Sequence, residues 1–259
     1  MLAISGLTVD FGGVHALREV ALEVGEGELV GLIGPNGAGK TTLIDAVTGF
    51  VACTGSVQLR GQEVRGLSSH RIARLGCART WQGTDLFEDL DVQENLAVAA
   101  GAGVAAGPIA RGAGDDAPES VLRALGLDGV AAALPTELSE GQRKLVGLGR
   151  ALAARPRLLC LDEPAAGLDT NESQALGRRL RALADAGQST LLIDHDMGLV
   201  LGICDRVVVL EFGRVIADGP PEQVRADPAV VAAYLGGARP SEVGATPAAG
   251  PPAPTPVDG

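Results

Sequence analysis

The chain has 259 residues, 46% of them hydrophobic, and a mean hydropathy of +0.22, so it can bury a full core. Its formal net charge of −11 and isoelectric point near 4.7 argue against a nucleic-acid-binding protein, because such proteins usually present a basic face. Its four scattered cysteines, without a C-x-x-C pair, predict free thiols in a reducing compartment and no disulfide or zinc framework.

The first residues predict short strands and no targeting segment. Apolar residues alternate with polar ones over residues 2–24, and residues 55–61 have a similar pattern. The N-terminus lacks the basic start and apolar stretch of a signal peptide. The longest uncharged run, residues 95–110, is shorter than the ~20 residues of a membrane-spanning helix. We therefore expect a soluble protein that reaches any membrane through partners.

A glycine-rich segment, residues 34–41, carries the strongest functional signal. Residues 28–33 predict a buried strand before it, and residues 42–48 predict a helix that ends before Gly49. The segment matches G-x-x-x-x-G-K-[ST], the P-loop, in which glycines let the backbone curl around phosphates, a lysine reaches the β- and γ-oxygens, and a hydroxyl holds Mg²⁺. The predicted nucleotide-binding residues here are Gly34, Pro35, Asn36, Gly37, Ala38, Gly39, Lys40, Thr41 and Thr42.

Residues from about 84 to 150 predict a mainly helical region, with a loose Gly/Ala-rich stretch at 101–114. Near its end lies the LSEGQ segment (residues 138–142), where Ser139 and Gln142 fit a capping box. A capping box alone is ordinary helix chemistry. A helix N-terminus with Ser and Gly at its tip also presents N–H groups and a hydroxyl to an anion, so a second phosphate-binding element is an alternative.

A buried strand that ends in two carboxylates follows this segment. The run at residues 157–161 leads to Asp162 and Glu163, although acidic residues often follow strands for ordinary reasons. A P-loop enzyme needs a carboxylate on the strand beside the loop to hold Mg²⁺, which Asp162 would supply. A second carboxylate near the γ-phosphate can polarise the attacking water, a role that fits Glu163.

Two more strand signals follow. The apolar run Ser189–Ile193 predicts another parallel strand covered on both faces. Residues 207–210 and 214–217 flank Phe212-Gly213 and predict a hairpin.

In this order, the P-loop, the LSEGQ segment and the apolar strand ending in Asp-Glu-Pro resemble the ATP-binding cassette (ABC) family over about residues 2–236. The resemblance implies an α/β P-loop NTPase fold of ABC ATPase architecture. Its parts are a RecA-like parallel-sheet core, an N-terminal antiparallel β region and an inserted helical subdomain. It also implies that two cassettes close head-to-tail around two ATP molecules with Mg²⁺. Ser139, Gly141 and Gln142 would then serve the nucleotide bound by the partner subunit.

The resemblance assigns four further residues. Gln82 matches the loop glutamine that touches Mg²⁺ and the attacking water, and His195 matches the switch histidine at the γ-phosphate. Asp169 lies in the loop that crosses to the partner, and Phe11 matches the aromatic that stacks on adenine. Alone, each has an ordinary explanation, such as core packing for Phe11. The implied catalytic residues are Glu163, His195 and Gln82, and the implied metal ligands are Thr41, Gln82 and Asp162.

Several segments narrow the resemblance to the ATPases of branched-chain amino acid importers, with urea importer ATPases as close relatives. They are residues 11–13, 78–82, 193–197 and 233–236. The chain departs from the pattern at Trp81, where Phe is usual, and at residues 143–145, where a Gln/Arg-rich stretch is usual.

The narrowed resemblance implies an ATP-hydrolysing subunit that powers uptake of branched-chain or hydrophobic amino acids. A urea or short-chain amide importer is the alternative. Implied partners are a second ABC ATPase subunit, two transmembrane permease subunits and, indirectly, an extracytoplasmic solute-binding protein. The implied location is cytoplasmic, peripheral on the inner face of the cell membrane.

We expect an ABC ATP-binding domain at residues 1–236, with its helical subdomain at about 84–150, and a disordered Pro/Ala/Gly-rich tail at 237–259. A P-loop GTPase or small-molecule kinase is an alternative of another class. It would leave the LSEGQ segment unexplained, and the sequence has no N-K-x-D guanine motif. Non-transport ABC ATPases usually carry duplicated cassettes or a coiled-coil insert, for which this length leaves no room.

Overall fold

The computed structural model describes residues 1–81, 83, 85–100 and 117–235. Gln82, the stretch at 101–114 and the tail at 237–259 lie outside the described residues, so those expectations stay predictions. The strands are β1 (Leu2–Phe11), β2 (Val14–Val24), β3 (Leu29–Ile33), β4 (Thr54–Leu59), β5 (Gln62–Glu63), β6 (Cys77–Arg79), β7 (Leu158–Asp162), β8 (Ser189–Ile193), β9 (Arg206–Glu211) and β10 (Arg214–Gly219). The helices are α1 (Lys40–Val47), α2 (Ser69–Arg74), α3 (Val92–Ala100), α4 (Ala117–Leu125), α5 (Glu140–Ala153), α6 (Thr170–Asp185), α7 (Met197–Ile203), α8 (Pro221–Ala226) and α9 (Pro228–Leu235).

A six-stranded sheet with the order β10-β9-β3-β8-β7-β6 forms the centre of the fold. Its strands run parallel except β10, which pairs antiparallel with β9. β3, β7 and β8 are buried at every residue, which explains their unbroken apolar runs. The predicted parallel core and hairpin are confirmed. One strand, β8, separates the P-loop strand β3 from the acidic strand β7.

The N-terminal strands form a second, antiparallel sheet with the order β2-β1-β4-β5. Its apolar face shares one core with α1 and with residues of the central sheet. Leu7 and Leu17 meet Leu43 and Ile44 of α1 in this core. Burial of these side chains therefore fixes the helix that follows the P-loop against two sheets.

The helical region packs as three mutually contacting helices, α3, α4 and α5. Its core is continuous with that of the central sheet, so it does not fold around a separate core. Gly149 lies inside α5, where glycine costs ~1 kcal/mol relative to alanine. A Cβ there would lie 3.2 Å from Leu125 and 3.3 Å from Leu96, so glycine permits this close helix packing.

Residues 85–91 at the start of this region are irregular, although the sequence predicted mainly helix from about 84. The fully buried Asn95 holds the segment. Its Oδ1 accepts from the Phe87 amide at 2.9 Å, and its Nδ2 donates to the carbonyl of Leu90 at 2.9 Å. Leu86 points into the core, whereas the Phe87 side chain is 44% exposed.

All four cysteines are free thiols, and Cys77, Cys160 and Cys204 are buried. Among the described residues, no helix combines the length and the apolar character needed to span a membrane.

Candidate nucleotide-binding and hydrolysis site

The P-loop curls between β3 and α1 in a conformation that needs glycine. Gly34 has φ +153°, and a Cβ there would lie 2.1 Å from the carbonyl oxygen of Leu210. Gly39 has φ +105°, and its Cβ would lie 2.7 Å from the carbonyl oxygen of Ala16. Both positions combine positive φ with a neighbouring backbone, so a side chain would displace the loop.

Lys40, the first residue of α1, folds back over the P-loop. It is 8% exposed, and its Nζ donates to the carbonyls of Gly34 at 2.6 Å and Pro35 at 3.1 Å. Burial lowers the pKa of its ammonium, whereas the nearby carboxylates of Glu163 and Asp162 raise it. A buried cation therefore faces the two carboxylates at the end of β7.

Asp162 has one carboxylate oxygen bonded to an arginine and one that no described residue bonds. Its side chain is 3% exposed, and its Oδ2 accepts a 2.9 Å bond from Arg79. Its Oδ1 is buried and finds no hydrogen-bond partner among the described residues. Burial raises the pKa of this carboxyl, and the bond from Arg79 opposes that shift. An unpaired buried carboxylate oxygen is costly unless a cation meets it, so Asp162 fits a Mg²⁺ ligand.

The described residues also fit a metal shared with the nucleotide. They contain no cluster of three or more His, Cys, Asp or Glu side chains that could hold a metal alone. Mg²⁺ usually binds one or two protein ligands and the substrate phosphates, keeping several waters. Besides Asp162, the exposed Thr41 at the start of α1 offers a hydroxyl for this purpose.

Glu163 follows β7 in a backbone conformation unusual for its type. Its φ is +49°, and its amide donates to the carbonyl of Ile193 at the end of β8. Its Oε2 lies 4.0 Å from Nδ1 of His195, whose side chain is 61% exposed. Left-handed backbone at a non-glycine residue costs energy and is enriched at functional sites. The glutamate and the histidine are therefore neighbours at the rim of the site.

Asp194 joins the loops that follow or carry these two residues, and sequence reasoning assigned it no role. It is fully buried, its Oδ2 accepts from the Ala165 amide at 3.1 Å, and its Oδ1 accepts from the Asp196 amide at 3.0 Å. One carboxylate thus ties the loop after Glu163 to the loop that carries His195. The signal was present in the sequence as an acidic residue directly after a buried strand.

The LSEGQ segment begins α5 as predicted, with a complete capping box. Ser139 Oγ accepts from the Gln142 amide at 3.2 Å, and Gln142 Oε1 accepts from the Ser139 amide at 2.9 Å. Gly141 is buried, and a Cβ there would lie 2.7 Å from Oε1 of Glu172 on α6. The serine hydroxyl stays exposed at the helix tip.

Asp169 caps α6 beside this segment. Its Oδ1 accepts from the Glu172 amide at 2.8 Å, while Glu172 Oε2 accepts from the Asp169 amide at 3.2 Å. Lys144 of α5 donates to the carbonyl of Ala166 in the loop before Asp169. Glu172 and Lys144 therefore join the two segments, and neither had a role in the sequence analysis.

The structure thus places the predicted site residues in two groups. Lys40, Asp162, Glu163 and His195 meet where β3, β7 and β8 end, and the LSEGQ segment lies with Asp169 at the starts of α5 and α6. Phe11, at the end of β1, is 51% exposed, as stacking on a base requires. A cavity of about 370 Å³ beside Glu163 is lined by Arg79, Trp81, Lys144 and Arg150 among others.

Comparison with known proteins defines the class. The family model described as "ABC transporter" matches residues 17–166, and the chain belongs to this family. A second model, described as "Branched-chain amino acid ATP-binding cassette transporter", matches residues 214–239. The fold is shared with a solved ATP-binding cassette of an ABC transporter in its ADP conformation. The TM-score is 0.79 at 29% identity, covering 91% of this chain and 98% of that one.

Two relatives of this chain have descriptions that name a transported solute. The chain is 42% identical to the high-affinity branched-chain amino acid transport ATP-binding protein BraF of Pseudomonas aeruginosa. It is 40% identical to the protein of the same description, LivG, of Escherichia coli K12. Each alignment covers 91% of this chain and 98% of the relative.

Proposed function

We propose that the chain is the ATP-hydrolysing subunit of an ABC importer, in which closure of two cassettes around ATP drives solute uptake. One observation supports the hydrolysis site: near the carboxyl ends of β3, β7 and β8, Lys40 lies by Asp162 and Glu163, and Glu163 lies by His195. Oδ1 of Asp162 is buried there without a partner among the described residues. Ligands of open α/β sheets bind at the carboxyl ends of strands.

Each residue of this group has a role in the proposal. The P-loop amides and the N-terminus of α1 cradle the phosphates, and Lys40 places its charge on the β- and γ-oxygens. Asp162 Oδ1 and the Thr41 hydroxyl would hold Mg²⁺, which when bound neutralises developing charge on the phosphates. Glu163 accepts a proton from the attacking water, and His195 contacts the γ-phosphate.

The second group of residues serves the partner subunit's nucleotide in this proposal. Ser139, Gly141 and Gln142 present the capped start of α5 to the partner's γ-phosphate, and the adjoining Asp169 loop crosses to the partner. The packing of Glu172 against Gly141 and the hydrogen bond from Lys144 to the carbonyl of Ala166 support this, because they join the two segments. The roles of Phe11 on adenine and of Gln82 on Mg²⁺ and water rest on the family resemblance.

The transported solute follows from the relatives. Both are described as branched-chain amino acid transport proteins, and the C-terminal family model has the same description. We therefore infer uptake of branched-chain or hydrophobic amino acids. The implied assembly has a second ABC ATPase subunit, two transmembrane permeases and an extracytoplasmic binding protein, with this chain peripheral on the inner face of the membrane. A urea or short-chain amide importer is the second candidate.

Uptake by a reconstituted transporter tests this proposal. The chain would be co-expressed with candidate permeases, a partner ATPase and a binding protein, and the assembly placed in proteoliposomes with internal ATP. We expect uptake of labelled leucine, isoleucine or valine that stops in a Glu163→Gln variant. Uptake of urea alone would favour the second candidate. Uptake that is equal with and without ATP would refute the ATPase role.

A further inference from the structure

Arg79, at the end of the edge strand β6, joins the P-loop helix to the acidic strand. Its side chain is only 6% exposed, and one guanidinium nitrogen bonds Asp45 of α1 while another bonds Asp162 at 2.9 Å. Asp45 lies on the same short helix as Lys40 and Thr41. The guanidinium is therefore a buried bridge between the two elements that supply the proposed Mg²⁺ ligands.

We propose that Arg79 is a positioning residue that holds the Asp162 carboxylate so that its Oδ1 faces the metal. Arg79 occupies Oδ2 and leaves Oδ1 as the buried oxygen without a described partner. A carboxylate that binds a metal through one oxygen is commonly oriented by a hydrogen bond to the other. This inference rests on the proposed Mg·ATP site.

The shape of the guanidinium is what suits Arg79 to this role. Its planar fork can bond two carboxylates in fixed directions, whereas a lysine ammonium is a point charge on a flexible stem. The fork is held from a third side, because its central carbon lies 4.2 Å from the centroid of the Trp81 ring. Trp81 in turn meets Phe50, just after α1, edge to face at 5.0 Å. These contacts leave the guanidinium little freedom to rotate.

Two variants separate positioning from charge. Arg79→Gln removes a positive charge beside the metal, which by Coulomb's law alone would strengthen Mg²⁺ binding. Loss of positioning would weaken Mg²⁺ binding instead, so the two explanations predict opposite changes in the affinity for Mg²⁺. Arg79→Lys keeps the charge and loses the fork, so weaker Mg²⁺ binding in this variant points to the geometry of the guanidinium. Arg74→Gln, which changes an exposed arginine on the neighbouring α2, is the matched control.

The measurement is the dissociation constant of ATP, by equilibrium dialysis, with excess Mg²⁺ and with EDTA. The constant in EDTA divided by the constant in excess Mg²⁺ isolates the contribution of the metal to nucleotide binding. We expect Arg79→Lys and Arg79→Gln to lower this ratio about 10-fold while the constant in EDTA stays within about 2-fold of wild type. Arg74→Gln should leave both constants unchanged. Melting curves of all variants without nucleotide confirm that each is folded, and Arg79→Lys carries the test if Arg79→Gln does not fold.

The outcomes distinguish this inference from the proposed function. Wild-type protein that binds no ATP in either buffer refutes the nucleotide site itself. ATP binding with an unchanged ratio in Arg79→Lys, or a raised ratio in Arg79→Gln, overturns the positioning role and leaves the site intact. Equal weakening in Mg²⁺ and in EDTA also overturns it, because a general structural role would produce that result.

Discussion

Replacing Lys40 with methionine isolates the charge that the P-loop presents to the nucleotide. Methionine has a similar length and no charge, so the shape of the loop is largely kept. At about 4 Å and an effective dielectric constant near 20, one charge on a phosphate oxygen is worth ~4 kcal/mol. Since 1.4 kcal/mol corresponds to a factor of 10, the dissociation constant for Mg·ATP should rise about 10³-fold.

The fold should tolerate this change. Lys40 donates to the carbonyls of Gly34 and Pro35, and losing those bonds destabilises the loop, but removing a buried ammonium offsets the loss. We expect the free energy of unfolding to change by less than about 2 kcal/mol, or ~4–8 °C in melting temperature for a chain of this size.

Equilibrium dialysis with labelled ATP and a melting curve measure both effects. Lys144→Met is the matched control, because that lysine donates to Ala166 and belongs to the group proposed to serve the partner's nucleotide. It should leave the dissociation constant of the isolated chain for ATP within about 3-fold of wild type. That is less than the tenfold change that about 1.4 kcal/mol would produce. An affinity of Lys40→Met within tenfold of wild type would refute the role of this lysine.

Three other predictions follow from the exposure or burial of single side chains. Phe87→Ala should reduce co-purification with the permeases and leave the melting temperature and the basal ATPase rate nearly unchanged, because Phe87 is 44% exposed and packs under Arg150. Leu86→Ala should instead lower the free energy of unfolding by ~2–4 kcal/mol, because Leu86 is a core residue. A lowered melting temperature in Phe87→Ala would count against a contact of Phe87 with the permeases. Burial raises the pKa of Cys204 to about 12, above the ~8.5 of an unfolded thiol, so the unfolded chain loses a proton that the native chain keeps. The contribution of this thiol to stability should therefore fall by ~1.4 kcal/mol per pH unit above about pH 9. Cys204→Ala should show a smaller overall fall between about pH 8 and 10, and identical curves would contradict this.

The sequence predicted the elements whose local pattern is strong. The P-loop with its strand and helix, the apolar strands β7 and β8 and the LSEGQ cap all carry short-range signals, and all appear in the structure. β6 has only three residues, too short for a pattern to stand out. The long helix α6 went unpredicted because polar residues dominate its sequence. The order of β3, β8 and β7 depends on packing among distant segments, which no local signal records.

Among the site residues, motifs in the sequence pointed to those proposed to touch the nucleotide, and they gave no sign of the residues that hold them in place. Arg79 and Asp194 act through partners far away in the chain, so their roles become visible only when β6, β7 and β8 lie side by side. Lys144 and Glu172 join α5 to α6 in the same way. Their polar side chains are unremarkable in sequence, and it is their burial and bonding that define their roles.

Single-turnover hydrolysis of labelled Mg·ATP by the Glu163→Gln variant, assembled with its partner ATPase and permeases, tests the central claim most directly. The partner ATPase would carry the matching substitution at its own base, so that both sites are blocked. The amide keeps the shape of Glu163 and removes the base, so we predict wild-type ATP affinity with phosphate release slowed at least ~10²-fold. Phosphate release at the wild-type rate would contradict the assignment of Glu163, and with it the hydrolysis site built around the ends of β3, β7 and β8.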